Sequence, residues 1–251
     1  MIIAINKSLA ALEALSAHTE EPISLSDLAA RIGLKPSNCA RILETLVHAG
    51  YAEQLGRKKG YILGSMVYAL ASRGPYRKDL VAAAEPLLAD LAARLQETAS
   101  VAMLRQGRRI LLAEVDGGHA VQVRSTLSQN YDPYASAGGR LLLAHLAEPE
   151  LAAFLQRAGL PGAGIWPEVA SEQGLRQTLA EIRSAGHALR SHAEVVGLAF
   201  PVCDATKTTA ALGVFVPAYR YAGEHRNAVH QETKMAAQAL TAKLASRHFT
   251  S

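Results

Sequence analysis

Pro36-Ser37-Asn38-Cys39-Ala40-Arg41-Ile42-Leu43-Glu44-Thr45-Leu46-Val47-His48-Ala49 is the stretch that decides the fold. Proline suits the first turn of a helix, where its missing N–H is no loss, and Gly50 is a natural stop. The spacing predicts a helix over 36–49 with two distinct faces. Cys39, Ile42, Leu43 and Leu46 recur at three- and four-residue intervals and form the packing face. Asn38, Arg41, Thr45 and His48 recur on another face, polar and short-armed towards its N-terminal end. These residue types read base edges: arginine pairs bidentately with guanine and asparagine with adenine, each worth roughly 1–3 kcal/mol of discrimination. Pro36, Ser37 and the N–H groups of the first turn suit phosphate, as does Lys35.

Upstream, Ser24 precedes Asp27 at capping-box spacing and opens a short helix that Gly33 ends. Ser26, at the start of that helix, joins the candidate DNA contacts. An earlier amphipathic helix over 6–17 carries Leu9, Leu12 and Leu15. Downstream, 51–54 and 60–63 read as two short strands joined by the basic loop Arg57-Lys58-Lys59. Three helices followed by a small hairpin is the order of a winged helix-turn-helix, with the loop cations set for the DNA backbone. An ordinary helical hairpin with a solvated polar face would give the same spacing, but not a cationic hairpin tip after it.

Composition permits this without demanding it. Net charge is +4, from 26 Lys and Arg against 22 Asp and Glu. With 49% apolar and 19% charged residues, the chain is an ordinary folded protein rather than a disordered one. No apolar run is long enough to span a bilayer, and the first residues lack a signal-peptide pattern. Cys39 and Cys203 lie far apart and read as free, buried thiols in a reducing cytoplasm.

Residues 64–72 predict a linker helix that Arg73-Gly74-Pro75 interrupts, which places a domain boundary there. Beyond it, Leu80, Ala84, Leu87, Leu88, Leu91 and Leu95 give a helical stripe, and Gln106-Gly107 suits a hairpin between 101–104 and 109–115. Residues 121–124 suit another strand. Helices are expected over 137–147, 150–158, 172–185 and 224–246, and strands over 188–191, 195–203 and 210–216. Such mixed blocks favour an α+β fold with an antiparallel sheet and flanking helices.

Asn6-Lys7-Ser8-Leu9, Leu25-Ser26-Asp27-Leu28-Ala29, Ile32-Gly33-Leu34, the 37–46 run, Gly50-Tyr51 and Tyr61-Ile62-Leu63-Gly64 together resemble the IclR family of bacterial regulators. Asp79-Leu80-Val81 and Ala84-Glu85-Pro86-Leu87 extend the likeness, which runs nearly to the C-terminus. The resemblance implies a winged helix-turn-helix over 1–63, a linker helix over 64–75 and a GAF-like α/β effector-binding and oligomerisation domain over 76–251. It also implies dimers, often tetramers, on palindromic double-stranded operators. A small organic acid is the expected effector, with no metal or other cofactor.

In the family the effector pocket opens where a small-residue turn starts a helix, and Tyr134-Ala135-Ser136-Ala137-Gly138-Gly139-Arg140 resembles that segment. Ala137 and Gly138 then contact ligand, since helix-start N–H groups suit an anion. Several positions depart from the family pattern. Arg190-Ser191-His192 replaces an acidic pair, Gly197 stands where Cys or Ser is usual, and Gly213 and Phe215 stand where serines are common. Alternation puts Arg190 and His192 on one strand face. Arg190 could clamp a carboxylate while Phe215, Phe200 or Tyr134 covers an aromatic or otherwise bulky body. A surface Arg190 paired with a nearby carboxylate is the competing reading.

No HExxH, G-x-S-x-G or phosphate-loop motif is present. His187/His192 and His225/His230 are each five apart, a spacing that suits solvated or capping roles better than metal. A non-catalytic, effector-responsive transcription factor is therefore expected. The alternative is a ligand-binding or enzymatic α/β domain with an accessory helical module.

Overall fold

The computed structural model describes residues 2–18, 21–56, 59–73, 77–119, 131–204 and 207–247, in two compact units, Met1–Tyr76 and Arg77–Ser251. The expected strand at 121–124 and the loop residues Arg57 and Lys58 lie outside the described residues.

The first unit comprises α1 (Ile3–Ser16), α2 (Leu25–Arg31), α3 (Pro36–His48), β1 (Ala52–Gln54), β2 (Tyr61–Leu63) and α4 (Ser65–Arg73). The capping box forms as the spacing predicts: Ser24 Oγ accepts from the Asp27 amide at 3.2 Å and donates to its carboxylate at 2.6 Å. Between α2 and α3 the chain reverses at Gly33, whose φ of +63° costs glycine little, and the Leu34 amide returns to the Ala29 carbonyl at 2.9 Å. Lys7 from α1 ties the same turn by donating to the Ile32 carbonyl at 2.6 Å. Leu15, Leu28, Cys39 and Leu43 meet in the core with almost no exposure, and burial raises the Cys39 thiol pKa. Ile42, expected on this face, is only half-buried. β1 and β2 pair antiparallel, and Ile23 adds a bridge to Tyr61, so the wing is braced against the loop before α2.

In the second unit, α5 (Lys78–Leu95) leads into β3 (Thr98–Arg105) and β4 (Arg108–Val115), joined through Gln106 and Gly107 at φ +51° and +76°. Both values fit the tight two-residue hairpin predicted there. A 3-10 turn (Pro133–Ala135) then opens α6 (Ala137–Ala144), followed by α7 (Glu148–Ala158) and α8 (Glu172–Ala185). β5 (Ala188–His192), β6 (Val195–Asp204), β7 (Lys207–Pro217) and α9 (Gly223–Arg247) complete the unit. The five strands lie in the order β4-β3-β7-β6-β5, with every neighbouring pair antiparallel. Period-two alternation splits this sheet into two buried faces. Leu198, Phe200, Val202, Leu212 and Val214 pack with α5 and α9, while Ala199 and Ala211 pack with α6. No helix among the described residues is long and apolar enough to cross a membrane.

Candidate functional site

The α3 surface carries the predicted polar stripe intact. Lys35, Pro36, Ser37, Asn38, Arg41, Thr45 and His48 are all exposed, as is Ser26 on α2. Thr45 Oγ1 donates to the Arg41 carbonyl at 3.0 Å, which holds the hydroxyl against its own helix. The first turn offers fewer donors than its position suggests. Pro36 has no N–H, and the Asn38 and Cys39 amides turn back to the Lys35 carbonyl at 3.0 and 3.1 Å. The Lys35 and Ser37 side chains are exposed polar groups at this turn. Lys59 is exposed beside the wing turn.

In the second unit a cavity of about 20 Å³ lies between the sheet and the start of α6. Ala137, Gly138, Gly213 and Phe215 line it, as expected, together with Ser100, Arg109 and Ser136. Arg109 and Ser136 are the polar heart of the cavity, and sequence reasoning missed both. Ser136 caps α6 by accepting from the Gly139 amide at 3.0 Å, and it also accepts from Arg109 Nε at 3.1 Å. Both partners donate, the opposite of what would activate a serine nucleophile. Arg109 is only 3% exposed, and burial lowers its pKa against the opposing pull of Glu114. An inward charge in the run Arg108-Arg109-Ile110-Leu111 was the one available signal.

Five expected contacts lie outside the cavity lining and require correction, and the first is Gly197, which stands beside Phe215 without lining the cavity. Phe200 points to the opposite sheet face, where it stacks on His187 at 5.5 Å and meets His230 edge-on at 5.1 Å. Tyr134 is a core residue: its hydroxyl donates to the Gly159 carbonyl at 2.8 Å and its ring meets Phe154 at 5.4 Å, while burial pushes its pKa up to about 12. His192 is exposed at the end of its strand. Arg190 pairs across the sheet with Gly197, and Gly197 with Phe215, so the three share a row, yet Arg190 does not line the cavity. Its Nε is buried with no hydrogen-bond partner, and burial lowers its pKa. Arg140 lies close enough to Arg190 for its own pKa to fall to about 10, by burial first and then by that repulsion. Arg140 is locked on the Tyr134 and Ile165 carbonyls, each at 2.9 Å, and over the Trp166 ring at 3.9 Å.

Gly213, in the cavity lining, and Gly197, outside it, differ in kind. A methyl group on Gly213 would come within 2.5 Å of the Leu198 carbonyl oxygen, so this backbone leaves no room for the serine common in the family. At Gly197 a methyl group would sit 3.5 Å from Ala137 Cβ, an ordinary contact.

Glu114 pairs with Ser100 in the sheet, and its carboxyl pKa is pushed up to about 7 by burial and by Asp116, against the pull of Arg109. The folded unit therefore holds this proton more tightly than the unfolded chain does, whose value is near 4.5. The stability this group contributes is fullest at the acidic end of that span and is lost as pH rises through it. In urea titrations from pH 5 to pH 8, Glu114→Gln is expected to gain on the native chain as pH rises. Parallel pH profiles for the two proteins would refute the assignment.

A family model for the C-terminal part of the bacterial transcriptional regulator IclR matches residues 76–242, and one for the IclR helix-turn-helix domain matches residues 4–56. The transcriptional repressor IclR of Escherichia coli is 26% identical over 184 residues, which span 72% of this chain and 67% of the repressor. An IclR transcriptional regulator from Alicyclobacillus acidocaldarius has the same fold, with a TM-score of 0.77 at 24% identity over 97% of this chain and 99% of its own. So does an IclR homologue from Microbacterium hydrocarbonoxydans complexed with 4-hydroxybenzoate, with a TM-score of 0.71 at 24% identity over 95% and 99%. The relatives named in these matches are regulators of transcription, not enzymes. The chain belongs to the IclR family of bacterial transcriptional regulators.

Proposed function

We propose that this regulator acts in the cytoplasm as a dimer, or a tetramer built from dimers, that sets pairs of α3 helices into successive major grooves of a palindromic operator. The carrying observation is the exposed Asn38–Arg41–Thr45 stripe on a helix whose other face is locked in the core. Asn38 and Arg41 read bases; Ser37, Lys35, Ser26 and the wing cations Arg57, Lys58 and Lys59 hold the backbone.

The effector is a small organic carboxylate bound beneath α6. Arg109, rather than Arg190, supplies its cation, because Arg109 lines the cavity and is held in place by Ser136. A volume of about 20 Å³ has room for roughly one water molecule, so any organic acid enters only as the Phe215 ring yields. That movement gives the ligand different affinities for two arrangements, which is what effector control requires. The Microbacterium homologue's 4-hydroxybenzoate keeps aromatic acids among the candidates.

The test is fluorescence anisotropy with DNA from upstream of the chain's own gene. Affinity is expected to fall steeply with salt, with a log–log slope near −0.9 per phosphate neutralised. Adding the cognate acid should shift the titration midpoint. Absent or salt-insensitive binding would overturn the reading.

A further inference from the structure

A second, larger cleft lies wholly within the second unit, at the end of the sheet where the β3–β4 turn and the start of β7 meet α7. Its volume is about 470 Å³, within the range of small-molecule sites, against about 20 Å³ for the cavity beneath α6. Four cationic side chains line it: Arg77, Arg105, Arg157 and Lys207. Glu150 is the one acid among the described lining residues, and it is already engaged. One of its oxygens accepts from the Ala147 amide at 3.1 Å to cap α7, and the other meets Lys207 at 3.5 Å. No carboxylate among the described residues pairs with Arg105 or Arg157. The remaining lining combines polar Gln106, His145, Thr208 and Thr209 with apolar Leu142, Leu146 and Phe154, of which Leu142 and Phe154 are buried.

Two further observations mark this as a built site. Arg77 adopts φ +52°, a left-handed conformation that an L side chain occupies only at a cost, and its Nε is buried without a hydrogen-bond partner among the described residues. Gly107 leaves the space that Arg157 uses: a methyl group there would stand 2.7 Å from Arg157 Nη2 and 2.9 Å from Phe154. Like charges gathered around an apolar floor repel one another until an anion joins them.

We propose that this cleft is a second effector site, one that takes a carboxylate with a bulky apolar body. The carboxylate sits among Arg77, Arg105 and Arg157, and the body covers Leu142, Leu146 and Phe154. β3 and α6 line both cavities, Ser100 and Gly138 at one and Leu104 and Leu142 at the other. A ligand here therefore acts on the elements that bound the cavity beneath α6, and any coupling between the two sites is reciprocal. Arg77 is also the first residue of the unit, so a ligand that closes on it acts where the chain passes from one unit to the other.

The experiment is calorimetry of the full chain with 2-naphthoate, whose bulk suits the larger cleft, and with neutral 2-naphthol as its uncharged counterpart. The native chain is expected to bind naphthoate more tightly than naphthol. The charge reversal Arg105→Glu/Arg157→Glu should weaken naphthoate at least about tenfold, in line with charged hydrogen bonds, and leave naphthol unchanged. Gly138→Ala, which narrows only the cavity beneath α6, should leave naphthoate affinity within about twofold. Both arginines are exposed, so the reversal should fold; equal melting temperatures check this, with Arg157→Gln as the milder variant. Absent naphthoate binding, binding indifferent to both arginine variants, or loss in Gly138→Ala alone would overturn the proposal. The last result would assign the ligand to the cavity beneath α6 and leave that reading standing.

Discussion

Arg220→Met is expected to cost the second unit about 3–5 kcal/mol, because it strands a buried carboxylate. Glu97 lies between α5 and β3 with its side chain 1% exposed. Arg220 grips both of its oxygens at 2.7 Å, while His225 Nε2 reaches one of them at 3.2 Å. The Tyr219 ring lies 5.3 Å from the same guanidinium and helps hold it. With methionine in place, His225 is the partner that remains, among the described residues, to a charge that water cannot reach. For a unit of this size the melting temperature should fall by about 10 °C. The pair Glu97→Gln/Arg220→Met removes both charges together and should recover most of the loss, since the penalty lies in the uncompensated ion rather than in the missing bond. A double variant no more stable than the single one would sink that account.

The second large effect concerns recognition. Arg41→Ala and Asn38→Ala should each weaken operator binding by about 1–3 kcal/mol, and together by at least about thirtyfold. Both side chains are exposed, so the melting temperature should hardly move. Affinity for unrelated duplex DNA should also hold, because base contacts add nothing there. Lys35→Ala should behave in the opposite way, weakening every sequence alike and reducing the salt slope by about one. The Arg41 backbone carbonyl that accepts from Thr45 survives the substitution, so the helix keeps that bond. Equal losses on operator and unrelated DNA would show that Arg41 and Asn38 do not read bases.

The first unit was legible because its signals are local. Ser24 and Asp27, Gly33, Pro36 and the two stripes of α3 each act within a few residues, and each sits where spacing put it. In the second unit the elements were legible but the cavity was only partly so. Gly213 and Phe215 are two apart on β7 and share a face, as alternation requires, and both line the cavity. Gly197 and Phe200 are three apart on β6, so alternation alone forbids both from facing one ligand. Sequence could not say which face α6 covers, because that is fixed by helices far along the chain. Arg109 escaped notice for a similar reason: its value lies in reaching Ser136 at the start of α6, a contact between a strand and a helix cap that local spacing does not encode.

The position of β7 has a consequence for how the protein is made. It is the last strand of the unit to leave the ribosome, yet it lies in the middle of the sheet, between β3 and β6. Until it emerges, β3–β4 and β5–β6 are separate ribbons, each with an open edge that another nascent chain could pair with. Closing β3 onto β7 joins Thr98 to Phe215 across most of the unit, a slow step by the usual dependence of folding rate on sequence separation. Ala211, Gly213 and Phe215 come from the same strand, so the chamber beneath α6 does not exist before that step. A chain cut short before Lys207 would lack that chamber and, with both ribbons open-edged, be prone to stick to its neighbours.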